Sequence, residues 1–119
     1  MSDDRSRLME ERTRRFSVNV ILLCKKIASN AVSAPLINQL VRAATSIGAN
    51  YAEANGASSK SDFRNKIYIC KKESIETRYW LKVIIDAGLE RSENIESLLK
   101  ESHELALIFS KIASTLNSK

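Results

Sequence analysis

Apolar residues recur along this chain at intervals of three and four, the signature of helices with one buried face. Phe16, Val20, Leu23 and Ile27 mark a first such face, and the segment carrying it is read as helix from about 4 to 30. Its N-terminal half is far more polar, so those turns are expected to project or fray. A second stripe, Leu36, Leu40, Ala43 and Ile47, runs through a helix over about 35–55. Ser33 is its expected cap, Pro35 fits its first turn, and Asn55-Gly56 is read as its stop, with Gly56 in the left-handed C-cap position. The third helix, about 61–87, carries the longest seam: Phe63, Ile67, Cys70, Ser74, Thr77, Leu81 and Ile84. That four-three alternation is the packing line of a left-handed bundle. Ser59 or Ser61 is expected to cap it and Gly88 to end it. A fourth helix, about 92–116, presents Ile95, Leu98, Leu105, Phe109 and Ile112.

No run alternates with the period of a strand, and no internal repeat is present. The short connections force sequential helices to lie antiparallel. The predicted fold is all-α: one domain, residues 1–119, forming an antiparallel up-down-up-down four-helix bundle. Three Gly and one Pro among 119 residues agree with this, since a sandwich or barrel needs many more turn-formers. The longest uninterrupted apolar run is Val20–Cys24, against about 20 residues needed to span a bilayer. A cytoplasmic protein with no membrane partner is expected.

Charge adds one element. Nineteen Lys and Arg against fourteen Asp and Glu give a net charge of +5. The excess is largest in the first segment, where Arg12, Arg14, Arg15, Lys25 and Lys26 are the leading phosphate candidates. Arg64, Lys66, Lys71, Lys72, Arg78 and Lys82 add charge along the third helix. Contacts of this kind would follow a nucleic-acid backbone without reading its bases. A solvated helix surface is the competing explanation. No zinc-finger, RRM or helix-turn-helix pattern is present.

A polar line, Gln39, Arg42, Ser46, Asn50 and Glu53, follows the second helix. It is read as a structural network in which Arg42 pairs with Glu73 or Glu76 of the third. A catalytic role for Glu53 lacks a histidine or a second carboxylate on the stripe. A di-iron site would need Glu-x-x-His, but the residue three after Glu73 is Glu76 and the next in step is Tyr79. With one histidine, His103, and two cysteines, Cys24 and Cys70, no metal site is expected. No catalytic residue and no cofactor are assigned. Tyr68, Tyr79, Trp80 and Val83 exceed what one seam requires and are read as an oligomer interface.

The block Gln39-Leu40-Val41-Arg42-Ala43-Ala44-Thr45-Ser46-Ile47-Gly48-Ala49-Asn50-Tyr51-Ala52-Glu53-Ala54 resembles the bacterial four-helix-bundle proteins encoded by intervening sequences in 23S ribosomal RNA genes. Their pattern is Q-x-x-R-A-A-x-S-I-x-x-N-I-A-E-G, then S-x-x-[DE]-F, then a glutamate. Ser59-Lys60-Ser61-Asp62-Phe63 and Lys72-Glu73-Ser74-Ile75-Glu76-Thr77 fit the later parts. Tyr51 stands for the usual Ile and Ala54 for the usual Gly. The resemblance spans about residues 10–117 and implies a ring-like homopentamer. A relative in that group is the accessory variability protein of diversity-generating retroelements, which is basic, pentameric, nucleic-acid-binding and a partner of a reverse transcriptase. The resemblance thus implies self-association, RNA or DNA as a ligand, and a reverse transcriptase or other protein as a partner. The sequence leaves open a second function class, a scaffolding oligomer that binds only protein.

Overall fold

The computed structural model describes residues 3–117. Four helices account for most of them: α1 (Asp3–Cys24), α2 (Ser33–Asn55), α3 (Lys60–Asp86) and α4 (Glu93–Asn117). Each packs on its neighbours in sequence, and α1 closes the bundle against α4. Cross-helix partners run in opposite order. Glu10 meets Asn55 and Ser17 meets Ala44; Arg42 meets Glu73 and Glu53 meets Lys66; Arg12 meets Glu101. That reversal makes α1–α2 and α2–α3 antiparallel, and α1–α4 follows, since Lys25 lies by Asn94 where Arg12 meets Glu101.

The core follows the apolar periodicity. Phe16, Val20, Leu23 and Ile27 of the first segment are buried, with Leu40, Ala43 and Ile47 from α2. The α3 seam from Ile67 to Ile84 is buried, including the polar Ser74 and Thr77. These two hydroxyls donate to carbonyls one turn back, Cys70 O at 2.8 Å and Glu73 O at 2.7 Å. Each therefore enters the core without stranding a polar group. Tyr51, at the position of the usual Ile, is buried and meets Phe109 with ring centroids 5.8 Å apart. Both cysteines are buried thiols, and burial pushes Cys24 up to about 11 and Cys70 up to about 12. Such thiols are poor nucleophiles.

The helix ends differ from expectation in three places. First, α1 stops at Cys24, not near Asn30. Lys26 N–H turns back to Leu23 O and Ile27 N–H to Cys24 O, a tighter three-residue closure that swings Ile27 into the core. Second, Asn30 rather than Ser33 supplies the side-chain cap ahead of α2. Asn30 Oδ1 accepts from the Val32 and Ser33 N–H groups, both at 2.9 Å, and Ser33 Oγ accepts from Asn30 N–H at 3.0 Å. This is a capping box with Ser in the reciprocal position. Third, Gly56 has φ −101° and is not left-handed. The left-handed glycine is Gly88, φ 74°, where Leu89 N–H reaches Ile84 O and Gly88 N–H reaches Ile85 O. That pattern is a Schellman closure of α3. Ser59 caps the start of α3 by accepting from Asp62 N–H at 3.0 Å.

The first turns of α1 are helical, with Arg7 bridging Glu11 within the helix at 3.2 Å, and α1 is tethered to its neighbours from Glu10 on, where Glu10 accepts from Asn55 and Arg12 reaches α4. Gly48 supports this docking of α1 on α2. A Cβ there would lie 3.1 Å from Thr13 Oγ1 and 3.3 Å from Thr13 Cβ.

Candidate functional site

The polar line on α2 resolves into three separate groups along the α2–α3 seam. Arg42 Nη1 donates to both carboxylate oxygens of Glu73 at 3.3 Å, and Nη2 donates to Glu76 Oε2. Gln39 Oε1 accepts from Arg42 Nε at 3.3 Å, and Trp80 Nε1 donates to Glu76 Oε2 at 3.0 Å. The Trp80 hydrogen bond, followed by that of Arg42, holds the Glu76 carboxyl below its usual range. Its partners raise the Arg42 guanidinium in turn, Glu76 most. One turn on, Asn50 Nδ2 donates to Ser46 O at 2.8 Å and Ser46 Oγ at 3.1 Å. Farther on, Lys66 Nζ lies 2.8 Å from Glu53. Every acid and amide in these groups is held by a neighbour, and His103 is exposed on α4. Among the described residues, no group of three His, Cys, Asp or Glu is placed to hold a metal ion.

The basic cluster of the first segment is divided rather than gathered. Arg12 forms a two-pronged pair with Glu101, at 2.7 Å and 2.8 Å, and reaches Glu104 at 3.1 Å. The Glu101 hydrogen bond is the largest cause of its raised pKa. Arg12 is thus a helix–helix clamp, and phosphate would have to compete with two carboxylates for it. Arg14 lies on the α2 side, beside Ser17, Thr45 and Ala49, whereas Arg15 lies on the α4 side, beside Ser97 and Lys100. Lys25 and Lys26 flank the other end of that α4 side, past the end of α1.

A different surface gathers cations. At 3.6 residues per turn, Lys60, Arg64, Lys71, Lys72, Arg78 and Lys82 share about 120° of the α3 circumference. Tyr68, Ile75 and Tyr79 lie within the same arc and are exposed. The one carboxylate on it is Asp86, at the C-terminal end. From Lys60 to Lys82 the arc is about 33 Å long. Lys66 points to the opposite side, toward Glu53.

Of the four residues assigned to an oligomer interface, Tyr68 and Tyr79 are 40% and 58% exposed. Trp80 and Val83 are half-buried, and Trp80 also meets Tyr79 edge-on at 5.1 Å. The sequence reading missed a second apolar patch. Val18, Ile21 and Leu22 lie exposed on one side of α1, within two turns of one another. Their interleaving with the buried Val20 and Leu23 hid them, since the run reads as one apolar block.

These features sit within a recognisable lineage. The model of the 23S rRNA-intervening sequence protein family matches residues 8–111. The chain belongs to that family. Its fold is shared with a crystal structure of a protein of unknown function from the S23 ribosomal protein family of Bacteroides thetaiotaomicron. The TM-score is 0.80 and the identity 34%, over 87% of this chain and 96% of that one. No curated protein matches the sequence. Within this intervening-sequence family member, the matched span takes in the Arg42 network, the α3 arc and the α1 patch. Among the described residues, no helix is long and apolar enough to cross a membrane.

Proposed function

We propose that this protein is a non-catalytic homo-oligomer, five copies in a ring, that binds nucleic acid along the outward face of α3. The α3 arc carries the reading: six cations, two exposed tyrosines and one terminal acid over about 33 Å. Cations spaced along a helix suit a phosphate backbone, and exposed tyrosine rings offer stacking surfaces to unpaired bases. RNA and DNA backbones share this chemistry. The original five-residue cluster supports it less, because Arg12 is held by two glutamates and Arg14 and Arg15 face different grooves. Arg14 is left as an auxiliary contact.

Self-association is placed on Val18 and Ile21 of the α1 patch, beside the groove-facing Leu22, rather than on Tyr68 and Tyr79, which interleave with cations. Contiguous exposed apolar side chains on a small domain favour burial against a partner. A ring needs two different faces in contact, so the α1 patch meets another surface of the next copy. The scaffold reading has its own support in the groove described below.

Two measurements test this reading. Light scattering should give about 67 kDa, five copies of the 13.4 kDa chain; a monomer at micromolar concentration contradicts the ring. A labelled 20-nucleotide RNA or DNA strand should bind at low salt and lose most of its affinity in the combined Lys71→Gln, Lys72→Gln, Lys82→Gln variant. Unchanged affinity in that variant contradicts the α3 site.

A further inference from the structure

The bundle is not closed evenly. Of the adjacent helix pairs, α1 and α4 approach each other least. Two half-open cavities of about 550 and 530 Å³ lie between them and share Asn19, Ser97 and Leu98, so they form one continuous groove. Measured along α1 from Leu8 to Leu23, it is about 23 Å long.

Its lining is distinctive. Leu8 and Leu22 stand 56% and 50% exposed as apolar walls at its two ends, above the buried Phe16 and Leu98. Small polar residues, Asn19 and Ser97, occupy its middle. Arg15, Lys25, Lys26 and Lys100 lie along its edges. The two acids present, Glu101 and Glu104, are both engaged by Arg12. The groove therefore offers apolar anchor sites within a positive field.

We infer that this groove receives an acidic amphipathic helix from a protein partner, laid between α1 and α4. A trough between two antiparallel helices is the shape into which a third helix packs, with apolar anchors one to two turns apart. Leucine walls suit such anchors. They do not suit bases, which stack on aromatic rings, and the one aromatic residue lining the groove, Phe16, is buried beneath it. The edge cations select glutamate or aspartate flanking the anchors. Among the described residues, another copy of this chain lacks the matching pattern: the α3 face is basic, and on α4 the apolar residue between the acids Glu93 and Glu96, Ile95, is buried. The inference is independent of the α3 nucleic-acid reading and gives the protein-binding alternative a location.

The probe is a labelled helical peptide of about 18 residues, matched to the groove length, with leucines at i, i+4, i+7 and i+11 and glutamates flanking them. A second peptide replaces every glutamate by lysine. The acidic peptide should bind the full-length protein saturably and the basic one at least tenfold more weakly. Leu8→Ser and Lys26→Glu, both at exposed positions and checked for unchanged melting, should each weaken the acidic peptide at least fivefold. Lys71→Gln with Lys72→Gln should leave it unchanged. Absent binding of the acidic peptide, or equal binding of both peptides, overturns the inference. Dissociation of the oligomer by Leu8→Ser would show that a second copy fills the groove. Loss of oligonucleotide rather than peptide binding in Lys26→Glu would make the groove a nucleic-acid site. Either result overturns it.

Discussion

Arg42 reaches from the surface of α2 to Glu73 within α3: the guanidinium side chain is 47% exposed, the carboxylate it neutralises 7%. The pairing is unequal. Arg42 alone can return to water, whereas Glu73 loses its counter-charge and has no solvent to replace it. Arg42→Ala should therefore destabilise the fold by about 1–3 kcal/mol, the cost of leaving a buried polar group unsatisfied. Arg42→Lys should recover only part of this, because an ammonium lacks the fork that spans two carboxylates one turn apart. Chemical denaturation of the three proteins checks the order, and equal midpoints would show that Glu73 finds water after all.

The same network has a pH signature. The Glu76 carboxyl is held below its usual value, by Trp80 first and Arg42 next. A carboxyl depressed in the folded state contributes stability that is present above its unfolded pKa, near 4.5, and is lost as pH falls through the folded value. Melting temperature should drop on acidification below about pH 4.5. Glu76→Gln should flatten that drop while lowering stability at neutral pH. A parallel decline in parent and variant would remove Glu76 from the acid response.

Gly88 isolates a purely conformational effect. Its φ is +74°, and a Cβ there would meet nothing within 4 Å. Gly88→Ala should cost about 1 kcal/mol through the left-handed backbone alone. Gly48 is the opposite case, since its φ is helical and Thr13 is the obstacle. Alanine favours the helix there by about 1 kcal/mol, opposing the crowding. A larger side chain has no such offset, and Gly48→Val should destabilise by about 1–3 kcal/mol. Thermal melts decide both.

Asn30 gives a further stability test. Its side chain accepts two N–H groups at the start of α2. Asn30→Ala should cost about 1 kcal/mol and Asn30→Asp much less, because aspartate keeps the accepting oxygen. Equal losses in both would place the cap elsewhere.

The architecture was legible because periodicity reports burial directly. Phe16 to Ile27 and Ile67 to Ile84 occupy the core as their spacing requires. The helix ends were less legible, since caps depend on which of several candidates wins. Asn30 and Ser33 both carry an oxygen that can cap, and reciprocal bonding makes Asn30 the cap and Ser33 its partner. The basic cluster is dispersed in space for a related reason. Counting charge along the chain put Arg12, Arg14 and Arg15 together, yet successive helical residues point about 100° apart. Arg12 thus met Glu101, 89 residues away in sequence, a partner that no local count reveals. On α3 the same rotation works the other way, gathering cations dispersed over 23 positions onto one face.

The salt dependence of oligonucleotide binding tests that face most directly. For a contact made through phosphates, log affinity falls linearly with log salt, with a slope of about −0.7 to −0.9 for each phosphate neutralised. The parent should follow such a line, and the combined Lys71→Gln, Lys72→Gln, Lys82→Gln protein should show a slope shallower by about 2–3. The Arg14→Gln, Arg15→Gln protein should change it by less than half as much. A parent line unaltered by the α3 substitutions, or no oligonucleotide binding at low salt, would contradict nucleic-acid binding along α3.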